Sequence, residues 1–431
     1  VLRRVFEHGA YADEALAAAA RGHDRRDRAL AMRLAYGAVQ RRATLDHLAG
    51  ELAGRPPGRL DAPVLAALRL GFYELLYTSG APDRAVVADA VELAKQAGRG
   101  HGLVNAVLRR AAREGAAALL GPLGDSTPEE AALKHSHPEW VARMWWEQLG
   151  AAQARALMAA DNEPGELALR VNPLVPGARE LAAALPVAIS PDPLVPEALV
   201  LEGPLDLHAT QAWRDGAVIA QSRASMLVAR ALSPRPGERV LDLCAAPGGK
   251  STHLAALMEG SGEVVAVERD RRRAGTLVRT AQRMAAANIR VELADAEEPR
   301  RSEAPFDRVL VDPPCTGLGT LQAHPDLRWR VEAGDVGRLA EVQGRILAAG
   351  AEMLRPGGLL VYSTCTISPT ENERLIASFL DSNPSFAAED LANELAPVGA
   401  AAAGAPGSRC VLTLPHRDHT AGFFIARLRR S

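Results

Sequence analysis

Lysine is almost missing from this chain, and cysteine and aromatic residues are scarce. Only Lys95, Lys134 and Lys250 occur among 50 Lys and Arg, so arginine carries nearly all the positive charge. That reads as a compositional habit, but it makes a lysine inside a glycine-rich loop conspicuous. Four cysteines in 431 residues, widely separated, do not make a disulfide framework, so free thiols and a cytoplasmic location are expected. No run of 18 or more uncharged apolar residues appears, which excludes a spanning helix, and no membrane partner is expected. The opening stretch VLRRVFEHGAYADEAL lacks the apolar core and small-residue cleavage site of a secretory signal. Its first residue is not Met, which leaves room for a short leader ahead of it.

Apolar residues make up 48% and charged residues 24%, so the chain can bury a large core. The length fits roughly two to four domains. A net charge of −2 conceals an asymmetry. Residues 1–120 hold 18 Lys and Arg against 13 Asp and Glu, and the remainder 32 against 39. A basic N-terminal region on a mildly acidic body suggests an anionic partner. A solvated helical surface would carry the same charge, so composition leaves both readings open.

Over 1–125 the pattern predicts an all-helical bundle. Apolar residues recur at helical spacing in Val64, Leu65, Leu68, Phe72, Leu75 and Leu76, and again from Val86 to Ala94. Asp61 with Pro63 gives a helix start, and 54–59 reads as a loop. Residues 126–160 read as a linker and a helix holding Trp140, Trp145 and Trp146, favoured as a dock between domains over a base-stacking surface. Residues 161–213, with short strands in LALRVNP and EALVLEG, read as a small α+β module. From 214 to 431 strands alternate with helices: 239–244, 263–268, 289–294, 306–312, 357–365 and 422–428. That pattern predicts an α/β domain with an open, mostly parallel sheet. Residues 391–409 read as a loose loop.

The first strand of that domain runs into Cys244-Ala245-Ala246-Pro247-Gly248-Gly249-Lys250 and then a helix. Glycines there allow close backbone approach to a ligand, and a helix N-terminus offers free N–H groups. The upstream glycine of a phosphate-binding P-loop is absent, so Gly-Gly-Lys-Ser is not one. Glu268 ends the next strand, Asp295 the third and Asp312 the fourth. Singly each acid is a cap or turn residue. Jointly, at the carboxyl ends of successive strands, they describe a site for a nucleoside-bearing cofactor without a pyrophosphate.

Cys315 follows the fourth strand within Asp312-Pro313-Pro314-Cys315-Thr316-Gly317, and Cys365 follows the fifth within Ser363-Thr364-Cys365-Thr366. If those strands are neighbours, both thiols face one cleft. Cysteine is more often a small buried hydrophobe, the reading given to Cys244 and Cys410. No His or Cys has ligand spacing beside either strand-end thiol, so no metal is expected. A disulfide switch is less favoured in a reducing cytosol.

CAAPGGK, DPPCTGLGTLQAHPDLRW and YSTCT together resemble the RNA 5-cytosine methyltransferases of the NOL1/NOP2/Sun type. RRVFEHGAYADEAL, RLAYGAVQRRATLDHL, RLGFYELLYT and GLVNAVLRR resemble the RNA-binding NusB-like domain. The resemblance covers nearly the whole chain and is weakest at 160–210 and 385–410. It implies an α/β, Rossmann-like S-adenosylmethionine-dependent methyltransferase domain preceded by an all-α NusB-like bundle and a small α+β RNA-recognition module. It further implies that the 244–250 loop holds S-adenosylmethionine, Glu268 its ribose, and Asp295 its adenine. Asp312 would lie near the methionine moiety and the target base. Cys365 carries over as nucleophile and Cys315 as the residue that assists product release. A NusB-like domain ahead of the catalytic one implies small-subunit (16S) ribosomal RNA as the partner. A monomer is expected.

Several positions depart from the family pattern. Glu268 replaces a commoner Asp, Pro313 and Thr316 replace Ala and Ser, Ser222 replaces Asp, and Ala421 stands where Asp often precedes Gly-Phe-Phe. None removes a reacting group. Three rivals stay open on sequence: the same chemistry on transfer RNA, methylation of an exocyclic amine, which would need neither thiol, and a non-catalytic RNA-binding factor.

Overall fold

A computed structural model describes residues 1–193, 195–299, 305–395 and 409–431. The chain divides into two units: Val1–Pro164 with Leu321–Ala333, and Gly165–Thr320 with Gly334–Ser431. No helix among the described residues is long and apolar enough to cross a membrane.

The first unit is helical. Ala62–Tyr77, Asp83–Gln96 and His101–Leu120 pack on Arg42–Ala53 and Arg25–Gln40, and Val64, Leu68, Phe72, Val87, Ala90, Val104 and Leu108 fill the centre. The helical spacing of those residues is what aligns them on one face. Asp61 occupies the N-cap position before Ala62, as expected, although its side chain accepts no capping bond. Glu139–Leu149 carries the tryptophans. Trp145 is fully buried against the edge of His137, and Arg155 lies over the half-buried Trp146 ring. Of the arginines in this region, Arg21, Arg26, Arg28 and Arg33 are exposed, while Arg41 lies over the Tyr77 ring and Arg42 over Phe6 and Trp329.

The sequence pattern assigned all of 214–431 to the α/β domain, and here the structure differs. Leu321–Ala333 packs within the helical unit. Arg328 is its anchor. The fully buried guanidinium donates to the carbonyls of Gln40, Ser136 and Asp161 and to Asn162 Oδ1. Trp329 Nε1 donates to Val39 O at 2.7 Å, and Gln322 to Ala160 O at 2.9 Å. Burial lowers the Arg328 pKa to about 10 and raises that of Asp161 to about 7. Arg328→Met keeps much of the volume but strands those acceptors. It is expected to cost roughly 3 kcal/mol, read as an earlier midpoint in urea unfolding followed by tryptophan fluorescence. An unchanged midpoint would show that the acceptors find other partners.

The second unit holds two sheets. A small antiparallel one has strands β1 Ala168–Val171, β2 Ile189–Pro191, β3 Ala198–Leu201 and β4 Val218–Ala220 in the order β2-β3-β1-β4. Its fourth strand lies past the boundary expected at 213, so the module extends further than the pattern suggested. Gln221 leaves that strand to accept from buried Arg170, which also donates to Thr252 Oγ1 at 2.8 Å. Ser222 caps the next helix, Arg223–Leu232, by accepting from Ser225 N.

The large sheet consists of β5 Arg239–Leu243, β6 Glu263–Glu268, β7 Ile289–Leu293, β8 Phe306–Val311, β9 Leu354–Thr364, β10 Phe386–Glu389, β11 Val411–Leu412 and β12 Phe424–Arg430. The order is β10-β12-β9-β8-β5-β6-β7, with β11 beside β12. β9, β8, β5, β6 and β7 run parallel, and β12 is antiparallel to β9. The interior of β6, Val264 to Val267, is buried throughout, as a parallel strand covered on both faces requires. Leaving β5, the chain builds outward through β6 and β7, then crosses back to β8. The order therefore reverses between β5 and β8, and a ligand crevice belongs at their carboxyl ends. Of the loop expected over 391–409, Ala392–Leu395 forms a helical turn, and 396–408 lie outside the described residues.

Candidate active site

Four strand ends meet at that crevice. β5 delivers the Cys244–Lys250 loop, β6 Glu268, β8 Asp312 and Cys315, and β9 Cys365. The loop turns sharply. Cys244 has φ of 65° and Gly248 of 105°, both in the left-handed region. A Cβ at Gly248 would also lie 2.7 Å from Leu277 Cδ1, so glycine is needed there for backbone and packing alike. Helix Gly249–Leu257 starts directly after it. Arg273 steadies the loop through a 2.9 Å bond to Ala246 O.

Cys244, Glu268, Asp295 and Pro314 line one cleft. Glu268 is 3% exposed, and its Oε1 accepts from Asp270 N at 2.9 Å. Its Oε2 is buried and makes no hydrogen bond, with Arg273 no nearer than 3.6 Å. A buried carboxylate oxygen left open is costly unless a ligand donor meets it. A ribose hydroxyl is such a donor. Asp295 accepts from Glu297 N at 3.0 Å, which shapes the turn beside the cleft.

Two thiols and a carboxylate gather at the ends of β8 and β9. Cys315 Sγ and Cys365 Sγ are 3.3 Å apart, within hydrogen-bond reach, and both are half-buried. Asp312 joins them to the loop. Its Oδ2 accepts from Lys250 Nζ at 2.8 Å and its Oδ1 from Ser363 Oγ at 2.7 Å. Lys250 Nζ also sits 5.1 Å from the centre of the Phe423 ring. The main chain closes the arrangement. Gly319 N donates to Cys365 O at 3.0 Å, and Gly422 N to Gly319 O at 2.7 Å. A Cβ on Gly319 would lie 2.0 Å from Gly422 O, so this crossing demands glycine.

The two thiols ionise unequally. The hydrogen bond from Cys315 favours the Cys365 thiolate, burial and Asp312 oppose it, and the Lys250 ammonium assists; the net effect lowers the Cys365 pKa. The same hydrogen bond, then burial, pushes Cys315 well up. Burial works against the Lys250 ammonium, but Asp312 outweighs it and holds its pKa above the usual value. Cys244 and Cys410 are pushed up to about 12 by burial, as suits unreactive thiols. If Cys365 reacts as thiolate, activity falls as pH drops through its lowered pKa. Lys250→Met removes a group that stabilises that thiolate, so the acid limb of the pH–rate profile should move to higher pH by about one pH unit. An unmoved limb would show that Lys250 does not act on the thiol.

Residues 229–429 match the family model described as 16S rRNA methyltransferase RsmB/F, residues 1–113 the NusB family, and 137–208 the ferredoxin-like domain of RsmF/B-like methyltransferases. A probable ribosomal RNA small subunit methyltransferase B of Bacillus subtilis (strain 168) is 34% identical, over 94% of this chain and 91% of that protein. The chain belongs to the ribosomal RNA small subunit methyltransferase B family. A second relative, the probable enzyme of that name from Synechocystis sp. (strain ATCC 27184 / PCC 6803 / Kazusa), is 34% identical over 100% of this chain and 98% of its own. The crystal structure of a methyltransferase homolog protein from Pyrococcus horikoshii, 27% identical, covers 71% of this chain and 99% of that one with a TM-score of 0.61. As a family member, the protein is an S-adenosylmethionine-dependent methyltransferase with a Rossmann-like domain behind a NusB-like one.

Other residues packed around the site carry little signal in the sequence. Asp242, inside β5, is 1% exposed and takes Ser251 Oγ at 2.6 Å; burial raises its pKa to about 7. An acid in the middle of the apolar run RVLDLC was the available signal. Glu371, Asn372 and Gln343 bind the backbones around both thiols, and no sequence pattern pointed to them.

Proposed function

We propose that this enzyme transfers a methyl group to carbon 5 of a cytosine in small-subunit (16S) ribosomal RNA, through a covalent bond between Cys365 and carbon 6. One observation carries the reading. Two thiols from different strand ends lie 3.3 Å apart beside an Asp–Lys pair, and Pro314, the neighbour of Cys315, lines the cleft that also holds Glu268 and Asp295. Methylation of an exocyclic amine would need neither sulfur.

Carbon 5 of cytosine is a weak nucleophile. Addition of the Cys365 thiolate to carbon 6 turns the ring into an enamine and makes carbon 5 electron-rich. S-adenosylmethionine, when bound, supplies the methyl carbon from its sulfonium. The residues that would hold it are the Cys244–Lys250 backbone, Glu268 through its open Oε2, and Asp295. Asp312 would accept from the amino group of the base and from ring nitrogen 3 once addition has drawn a proton there from solvent, a proton returned when the ring double bond re-forms, and Lys250 fixes the direction of its carboxylate. Cys315 acts last. While Cys365 is a thiolate, the shared hydrogen bond keeps Cys315 protonated. Once Cys365 is bonded to carbon, that restraint is gone; Cys315 then gives its proton to water and, as thiolate, takes the proton from carbon 5. Re-formation of the ring double bond then expels Cys365.

The base must be unstacked to reach the cleft. Exposed Arg21, Arg26, Arg28 and Arg33 suit phosphate contacts, which makes affinity fall steeply with salt. The test is to map 5-methylcytosine in 16S ribosomal RNA and in transfer RNA treated with the protein and labelled cofactor. The reading expects a single modified cytosine in the ribosomal RNA. Label confined to transfer RNA, or to an exocyclic amine, would replace it.

A further inference from the structure

Thr316 and Thr366 each directly follow one of the two thiols, and their hydroxyl oxygens lie 2.6 Å apart. Glu371 stands behind them. Its Oε1 accepts from Thr316 N at 2.9 Å and from Gln343 Nε2 at 3.0 Å, and its Oε2 from Thr316 Oγ1 at 2.6 Å. Each threonine has one hydroxyl proton. Since Thr316 gives its own to the carboxylate, Thr366 must give its proton to Thr316, and the relay has one direction. Gln343 Nε2 donates also to Pro314 O at 2.9 Å, and Tyr362 Oη donates to Glu371 O at 2.7 Å. All of these residues but Pro314 are fully or almost fully buried.

The adjacent Asn372 serves the other thiol. Its Oδ1 accepts from Thr364 Oγ1 at 2.6 Å and its Nδ2 donates to Thr366 O at 2.9 Å. We propose that Glu371 is a positioning residue for Cys315, and Asn372 for Cys365, so that one dipeptide sets the spacing of the two sulfurs. The assignment rests on the two-thiol reading above. It is asymmetric. Glu371 and its partner Gln343 grip the backbone on both sides of Cys315 but touch no backbone atom beside Cys365, meeting its strand through the threonine pair and the Tyr362 hydroxyl. Losing Glu371 therefore frees the releasing thiol and leaves the nucleophile on its strand end.

That asymmetry gives a readout that a general loss of structure would not produce. The experiment compares Glu371→Ala, Glu371→Gln, Thr316→Val, Asn372→Ala and, as reference, Cys315→Ala. Each is mixed with 16S ribosomal RNA and S-adenosylmethionine, with RNA–protein adduct read on a denaturing gel and cofactor affinity by calorimetry. Glu371→Ala is expected to slow product release about 10- to 100-fold, the scale of a displaced reacting group, and to accumulate adduct with cofactor affinity within about twofold. Thr316→Val, which keeps the carboxylate, should accumulate adduct to a lesser degree. Glu371→Gln should restore most of the release rate, because the amide can accept from Thr316 N and donate to its hydroxyl. Asn372→Ala should do the opposite of Glu371→Ala and form less adduct. Adduct from Cys315→Ala but none from Glu371→Ala or Thr316→Val would overturn the assignment alone. No adduct from Cys315→Ala would overturn the two-thiol reading with it.

Discussion

Cys365→Ala is expected to lose methyl transfer by roughly 10⁴-fold or more, the scale seen when a covalent nucleophile is removed. Alanine is tolerated sterically, since the side chain is half-buried and the backbone there is held by Gly319 N and by pairing of Thr364 with Phe424. The variant should therefore fold and, on the reading proposed above, still bind S-adenosylmethionine, since Cys365 does not line the cleft of Cys244, Glu268 and Asp295. What is lost is addition to carbon 6, and with it the electron density at carbon 5. Single-turnover transfer of labelled methyl, beside calorimetry of the cofactor, separates these effects. Residual transfer within about tenfold of the parent would move the nucleophile's role elsewhere.

Cys315→Ala should fail differently. On the proposed mechanism Cys365, Asp312 and the bound cofactor carry addition and methyl transfer; losing the Cys315 hydrogen bond makes the Cys365 thiolate harder to form and slows addition, but a first methyl group is still delivered. Removal of the proton from carbon 5 then lacks its base, and turnover stops after one event. Turnover should fall by about 10²- to 10⁴-fold, the range for a missing general base, while the first-turnover burst persists. The pair of variants thus splits one overall reaction at its two halves. A Cys315→Ala enzyme that loses the burst as well would place Cys315 before methyl transfer.

The parts of this site that lie on strand ends were legible before any coordinates. The runs RVLDLC, EVVAVE, FDRVLVD and GGLLVYSTC alternate with helices, which sets Cys244, Glu268, Asp312, Cys315 and Cys365 at strand ends; the two thiols share a cleft if the fourth and fifth strands are neighbours, and β8 does pair with β9. Lys250 stood out through the scarcity of lysine, and its partner proved to be Asp312. Supporting residues were not legible, because their role depends on contacts distant in sequence. Glu371 sits in a polar turn that reads as solvated, yet it is buried under Thr316. Arg328 reads as a surface cation, yet four acceptors from Gln40 to Asn162 surround it. Strands such as Ile189–Pro191 and Val218–Ala220 are too short to show alternation.

The departures from the family pattern also find local explanations. Thr316 in place of serine keeps the hydroxyl that Glu371 receives. Ala421 contributes its carbonyl to Thr413 Oγ1 at 2.7 Å, a role that needs no side chain.

The central claim is tested most directly by the mass of a peptide. Cys315→Ala is incubated with 16S ribosomal RNA and S-adenosylmethionine, the slow-migrating band is cut out, and nuclease and protease digestion follow. The account predicts a methylated cytosine nucleotide joined to the peptide that contains Cys365. A linkage to any other residue, or no linkage in an enzyme that still binds RNA and cofactor, would contradict it.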